Sequence, residues 1–126
     1  MKARTQATLT GSLITLVVMA AAIGSAHSFP EKETPAAGAI VNAPPATVSI
    51  KFDAPIEQLF AQLQVLGPDG KDQVAGTPEI DPDGYTLRVN VPMLRPGDYK
   101  VTWAVVCIDT HHTTGSYEFT VGQGGS

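Results

Sequence analysis

A chain of 126 residues with eight Lys and Arg against twelve Asp and Glu, net −4 at pH 7, has room for one small domain and is too acidic to coat a nucleic-acid backbone. Its single cysteine, Cys107, excludes an intramolecular disulfide and a cysteine-built zinc site. A hydrophobic fraction of 43% with twelve Gly and ten Pro fits a turn-rich globular domain and not a disordered tail.

Lys2 and Arg4 precede an apolar run from Leu13 to Ile23, and Gly24-Ser25-Ala26 supplies small residues after it. These are the parts of a bacterial export signal. Eleven apolar residues fall short of the roughly 20 that span a bilayer, so a cleaved leader over residues 1–26, an exported domain over 27–126 and a periplasmic location are expected. Without Lys2 and Arg4, six of the eight cations remain against twelve anions. The point of cleavage matters. A cut after Ala26 makes His27 the N-terminus, whereas a cut after Ser28 suits the small-residue rule nearly as well and removes that histidine.

Glu31 to Gly38 reads as a polar lead-in. From Ala46, Val48, Ile50 and Phe52 alternate with Thr47, Ser49 and Lys51, which predicts a half-buried strand. Leu63 and Val65 alternate with Gln62 and Gln64 before Gly67-Pro68-Asp69-Gly70, a tight-turn sequence, and Lys71 to Ala75 is expected to return as a short partner strand. Asp81-Pro82-Asp83-Gly84 turns the chain again. Tyr85 to Val91 then places Leu87, Val89 and Val91 on one face, and Pro92 ends it. The longest predicted strand, Tyr99 to Ile108, has Tyr99, Val101, Trp103, Val105 and Cys107 on one side and a largely apolar second side, as a central strand requires. Ser116 to Val121 brings Tyr117, Phe119 and Val121 into phase, and a polar tail, Gln123 to Ser126, follows. With no helical periodicity of useful length, the expectation is an all-β, immunoglobulin-like Greek-key sandwich of about seven strands. Gly97-Asp98-Tyr99 is similar to the tyrosine corner of such folds, although their Cys…Trp…Cys pattern is missing.

Three histidines lie beyond the leader: His27, His111 and His112. In an extended segment residues two apart point the same way, so Asp109 and His111 can present an oxygen and an imidazole nitrogen to one point while His112 faces elsewhere. A free N-terminal histidine is itself a chelator through its α-amine and its ring, and the amine, with a pKa of about 7.7 to 8.0, deprotonates readily near neutral pH. His27, His111 and Asp109 together make an N/O set that suits Cu(II), where zinc favours tetrahedral and often thiolate coordination.

Ala26-His27-Ser28, Thr34-Pro35-Ala36-Ala37-Gly38-Ala39, the strand Val48 to Asp53 with Pro55, Gly97 to Trp103, the run Val106-Cys107-Ile108-Asp109-Thr110-His111, and Gly115 with Phe119 together resemble the CopC family of periplasmic copper-binding proteins over nearly the whole exported chain. The resemblance implies His27, Asp109 and His111 as Cu(II) ligands and Asp53 as an acidic residue close to the copper. It implies a CopD-like inner-membrane protein that takes the copper inward, and the chain is expected to be a monomeric carrier in copper resistance or homeostasis. Two departures stand out. Many members hold Cu(I) in a methionine-rich segment, whereas only Met93 survives removal of the leader, and one thioether cannot make such a site. Cys107 replaces the usual serine. A thiolate there could approach the metal, but the favoured reading is a small buried hydrophobe.

Two other functions compete with this one. A histidine-brace copper oxidoreductase uses a similar pair of histidines, but the anionic Asp109 stabilises Cu(II) and fills a position oxygen would need, and the single Trp103 leaves no aromatic polysaccharide-binding face. A non-metal immunoglobulin-like binding module explains the fold and leaves the Asp-x-His placement without a reason.

Overall fold

The computed structural model describes residues 29–124. These form β1 Pro30–Thr34, β2 Ile40–Val41, β3 Thr47–Phe52, β4 Gln62–Leu66, β5 Ala75–Ile80, β6 Thr86–Asn90, β7 Gly97–Val106 and β8 His112–Val121, with a single 3₁₀ turn at Gln58–Phe60. Two four-stranded sheets, ordered β1-β3-β6-β5 and β2-β8-β7-β4, face each other. The chain changes sheet at every step from β1 to β5 and again between β6 and β7, in the Greek-key manner. Seven strands have five residues or more; β2 is a two-residue parallel addition to β8.

The alternating apolar residues turn inward as their period requires. Val48, Ile50 and Phe52 of β3 and Leu87 and Val89 of β6 pack against Leu63, Val65, Val101, Trp103, Val105, Tyr117 and Phe119 of the opposite sheet. Burying such side chains contributes roughly 1.5–3 kcal/mol each. Phe52 and Trp103 meet edge to face across the two layers, with ring centroids 5.1 Å apart. The indole also lies over Gly115, its register partner on β8. At the far end of β7 the Tyr99 hydroxyl donates to the Arg95 carbonyl at 2.6 Å, which is the tyrosine corner suggested by Gly97-Asp98-Tyr99.

Three stretches differ from the sequence expectation. The polar lead-in is instead an edge strand: β1 pairs with β3, and its ladder needs backbone groups and little apolar side-chain area. Lys71 to Ala75 returns along β4 for only part of its length: the Gly67 N–H donates to the Lys71 carbonyl at 2.9 Å and the Gln73 N–H to the Val65 carbonyl at 2.8 Å. Asp72 makes one bridge to Leu66, and its carboxylate accepts the backbone N–H groups of Val65 and Val74, taking over ladder positions. The chain then leaves for the other sheet, where β5 pairs with β6. Finally, β8 begins at His112, so the pairing of β7 with β8 runs unbroken from Gly97↔Val121 to Val106↔His112 and leaves only a tight connection between them.

Two measurements test this architecture. A Cβ at Gly115 would lie 2.5 Å from Trp103 Cζ2, and the wedged indole cannot swing away as a flexible chain would. Gly115→Ala should therefore cost about 1–3 kcal/mol in urea unfolding and shift Trp103 emission. The Arg88 guanidinium, 2.7 Å from Asp81 Oδ2, holds the Asp81 carboxyl below its ordinary value of 3.8. Its stabilisation is therefore complete above that value and lost as pH falls through the depressed one. Arg88→Gln should remove this part of the acid dependence of stability.

Candidate metal centre

Cys107 to His111 connects β7 to β8 as a three-residue hairpin loop. The Thr110 N–H donates to the Cys107 carbonyl at 2.8 Å, the Cys107 N–H donates to the His111 carbonyl at 2.9 Å, and Thr110 has φ +77°. This is a type I turn followed by a left-handed residue. Asp109 and His111 are thus brought together by a turn and not by the pleat of an extended segment. The Asp109 carboxylate accepts the His111 backbone N–H at 3.3 Å, and its Oδ1 lies 3.1 Å from His111 Nδ1. The His111 side-chain hydrogen bond is the main reason why the Asp109 carboxyl sits below the usual carboxylate range, and the His111 backbone N–H adds to it. An ionised oxygen and an imidazole therefore stand side by side, both about half exposed.

The same turn occurs twice more. Gly67-Pro68-Asp69-Gly70 and Asp81-Pro82-Asp83-Gly84 each close with a bond from the fourth residue to the first, at 2.8 and 2.9 Å. Their third residues, Asp69 and Asp83, accept the N–H two residues on, at 2.9 and 2.8 Å. In those turns the left-handed position is glycine, with φ +80°. Asp109 is therefore a turn residue as well as a candidate ligand, and the third turn places a β-branched threonine where an L side chain is disfavoured.

The link between β3 and β4 holds this loop. Ile56 bridges to Cys107, Glu57 N–H donates to the Val106 carbonyl at 2.8 Å, and Ile108 N–H donates to the Pro55 carbonyl at 3.3 Å. Two residues earlier Asp53 grips the start of the described chain: its N–H donates to the Phe29 carbonyl at 2.9 Å, and its Oδ1 accepts the Phe29 N–H at 2.8 Å. His27 lies outside the described residues, two positions before Phe29. His112 opens β8 and faces the outer side of the β2-β8-β7-β4 sheet, where it lines a shallow depression with Leu59, Phe60, Ala104 and Thr114. The Cys107 side chain is 2% exposed and points into the core with Val105 and Trp103.

Among the described residues no three His, Cys, Asp or Glu side chains gather to hold a metal ion. The hairpin supplies two donors, an anionic oxygen and an imidazole, which are apt for a borderline transition-metal ion and too few to complete a site. No helix among the described residues is long and apolar enough to cross a membrane.

The family model of the CopC domain matches residues 30–122. Protein YobA of Escherichia coli (strain K12) is 33% identical over 118 residues, covering 91% of this chain and 90% of that protein. The copper transport protein CutJ of Bacillus subtilis is 28% identical over 100 residues, which are 78% of this chain and 18% of that one. The crystal structure of CopC from Methylosinus trichosporium OB3b matches with a TM-score of 0.71 at 32% identity, covering 76% of this chain and 94% of that one.

The turn geometry makes its own prediction. Replacing Thr110 by Gly removes the cost of a left-handed L residue and should stabilise the domain by about 1 kcal/mol in urea unfolding, whereas Thr110→Val should bring no gain. Cys107 should react with a thiol reagent only on the timescale of unfolding, and rapid modification of the folded protein would place its sulfur at the surface.

Proposed function

This chain is a member of the CopC family, whose relatives include copper-resistance and copper-transport proteins, and we propose that it is a periplasmic Cu(II) carrier whose site joins the N-terminal His27 to Asp109 and His111. The observation that carries this reading is the pairing of Asp109 and His111 on an exposed hairpin at the end of the sandwich where Asp53 tethers Phe29. The tether lies two residues from His27, so a chain cleaved after Ala26 would offer an amine and an imidazole to a centre that otherwise has only two donors. Three nitrogens and one carboxylate oxygen favour Cu(II). Asp53 acts in this reading by placing the N-terminal segment, as an acidic neighbour of the metal and not a ligand.

The ion is cargo. An anionic oxygen among the ligands stabilises the oxidised metal and takes a position that an oxygen-activating centre would need open, so the proposed role is buffering and delivery without turnover. A CopD-like inner-membrane protein is the proposed receiver, and the carrier is proposed to work as a monomer. The thiol of Cys107 is packed inward and Met93 is exposed at the opposite end, which supports one Cu(II) site and no tight Cu(I) site.

Titration with Cu(II) against a competing chelator tests this. Mass spectrometry of the exported protein should find His27 first. One extra N-terminal residue should weaken binding by orders of magnitude, and His111→Ala should change the Cu(II) EPR spectrum. His112→Ala should leave it unaltered. Unchanged affinity in the extended protein would remove His27 from the site, and tight Cu(I) retention that disappears in Cys107→Ser would overturn the assignment of oxidation state.

A further inference from the structure

Six large hydrophobic side chains are exposed among the described residues, and four of them, Phe29, Leu59, Phe60 and Ile108, belong to the end of the sandwich that carries Asp109 and His111. Leu59 is 85% and Phe60 60% exposed, yet the 3₁₀ turn bearing them is firmly held. The Gln58 side chain donates to the Pro78 carbonyl at 3.0 Å and accepts the Ile80 N–H at 3.1 Å, which fastens the turn to β5. A fixed apolar knob loses little conformational entropy when a partner covers it, and an exposed apolar patch rimmed by polar residues is the usual mark of a protein contact.

The rim is predominantly acidic. The three connections at this end, residues 53–61, 81–85 and 107–111, contain Asp53, Glu57, Asp81, Asp83 and Asp109 and no Lys or Arg. Asp81 is paired with Arg88, and Lys51 of β3 lies close enough to Asp83 to act on its carboxylate, while Asp53, Glu57 and Asp109 keep the end acidic. A second copy of this chain would set the same acids against each other, so self-association through this end is disfavoured. A face with an apolar pocket inside a ring of Lys and Arg is complementary in both respects.

We propose that this end is a docking surface on which Leu59, Phe60 and Ile108 seat against a cationic face of the membrane protein that receives the metal, so that the receiver covers the Asp109–His111 hairpin as it docks. The proposal rests on the carrier reading above, because ligand exchange requires the receiver's donor atoms to reach that hairpin. Like charges around the knob steer the encounter, and the apolar contact sets its lifetime.

A photo-cross-linking amino acid introduced at Phe60, and separately at Ile40 and Met93 on the opposite end, tests this in the envelope of the producing cell. The expected adduct forms from position 60 and is absent from positions 40 and 93. Mass spectrometry identifies it as an integral membrane copper-transport protein, and it is lost when ionic strength is raised or when Leu59→Ser is added. Absence of an adduct from position 60, equal yield from both ends, insensitivity to salt, an adduct with a second copy of this chain, or one with a protein of any other class would overturn the proposal. Cu(II) titration of the same variants keeps the two readings apart: an absent Cu(II) site in the wild-type chain refutes the carrier, whereas intact Cu(II) affinity in Leu59→Ser with an unchanged adduct refutes the docking surface alone.

Discussion

The short extended link from Asp53 to Glu57 is the constraint on which the whole candidate site depends. It must leave the first sheet at Phe52 and reach the second at Gln62, and on the way its backbone bonds to three separate parts of the chain, one of them the Gly84 carbonyl, which accepts the Ile56 N–H at 3.1 Å. Asp53 exchanges two hydrogen bonds with Phe29, and Pro55 to Glu57 bond with Val106 to Ile108. An N-terminal segment from one sheet and a hairpin from the other are thereby held to consecutive residues of a single strand-like link. Neither is close to the other in sequence, and neither sheet alone would bring them together. The link is itself held at Ile56, which is buried in the core.

The hairpin shows how one local device serves two purposes. Three times the chain uses a type I turn with Asp at the third position, whose carboxylate caps the N–H two residues on. In the first two this is turn chemistry alone, with glycine taking the left-handed residue at no steric cost. In the third the residue two on is a histidine, so the carboxylate that closes the turn also meets an imidazole. The capping bond is longer here, 3.3 Å against 2.9 and 2.8 Å. Thr110 keeps a conformation that favours glycine, between the two groups the proposed site needs. Strain of this kind persists where surrounding bonds over-determine the backbone, and here the β7–β8 ladder and the bond from Ile108 to Pro55 do so.

Beneath the hairpin the interior excludes alternatives. Cys107 follows Trp103 and Val105 on the inward face of β7, so the period-two geometry that buries the indole buries the thiol as well. His112 follows Val106 across the ladder and faces outward. Two neighbouring histidines are thus separated in role by the first rung of β8: His111 ends the turn, and His112 enters the pleat. The outward face that receives His112 is the one bordered by Leu59 and Phe60, which places the apolar knob and the hairpin within one end of the domain.

Much of this was legible in the residues. Alternation at Val48 to Phe52 and Leu87 to Val91 and the in-phase residues from Tyr99 to Cys107 gave the strands and their inward faces and favoured the burial of Cys107, because a side-chain period of two ties every residue of a strand to one face or the other. The Asp-x-His spacing and the membership of the CopC family were also open to reading. Weakly patterned stretches were not. Pro30–Thr34 became a strand only because β3 offered an unpaired edge, and the return of Lys71 to Ala75 along β4 stopped after Gln73 because the Asp72 carboxylate took the Val65 N–H from the ladder. The turn that aligns Asp109 with His111 could have been inferred from the Pro-Asp-Gly sequences at 68–70 and 82–84, but Thr110 in place of glycine hid it. What only the tertiary structure decided was the meeting of distant segments, Phe29 with Asp53 and Pro55 with Ile108. Such contacts depend on which sheet each strand joins, a choice made by the packing of two apolar faces and not by any local preference of the chain.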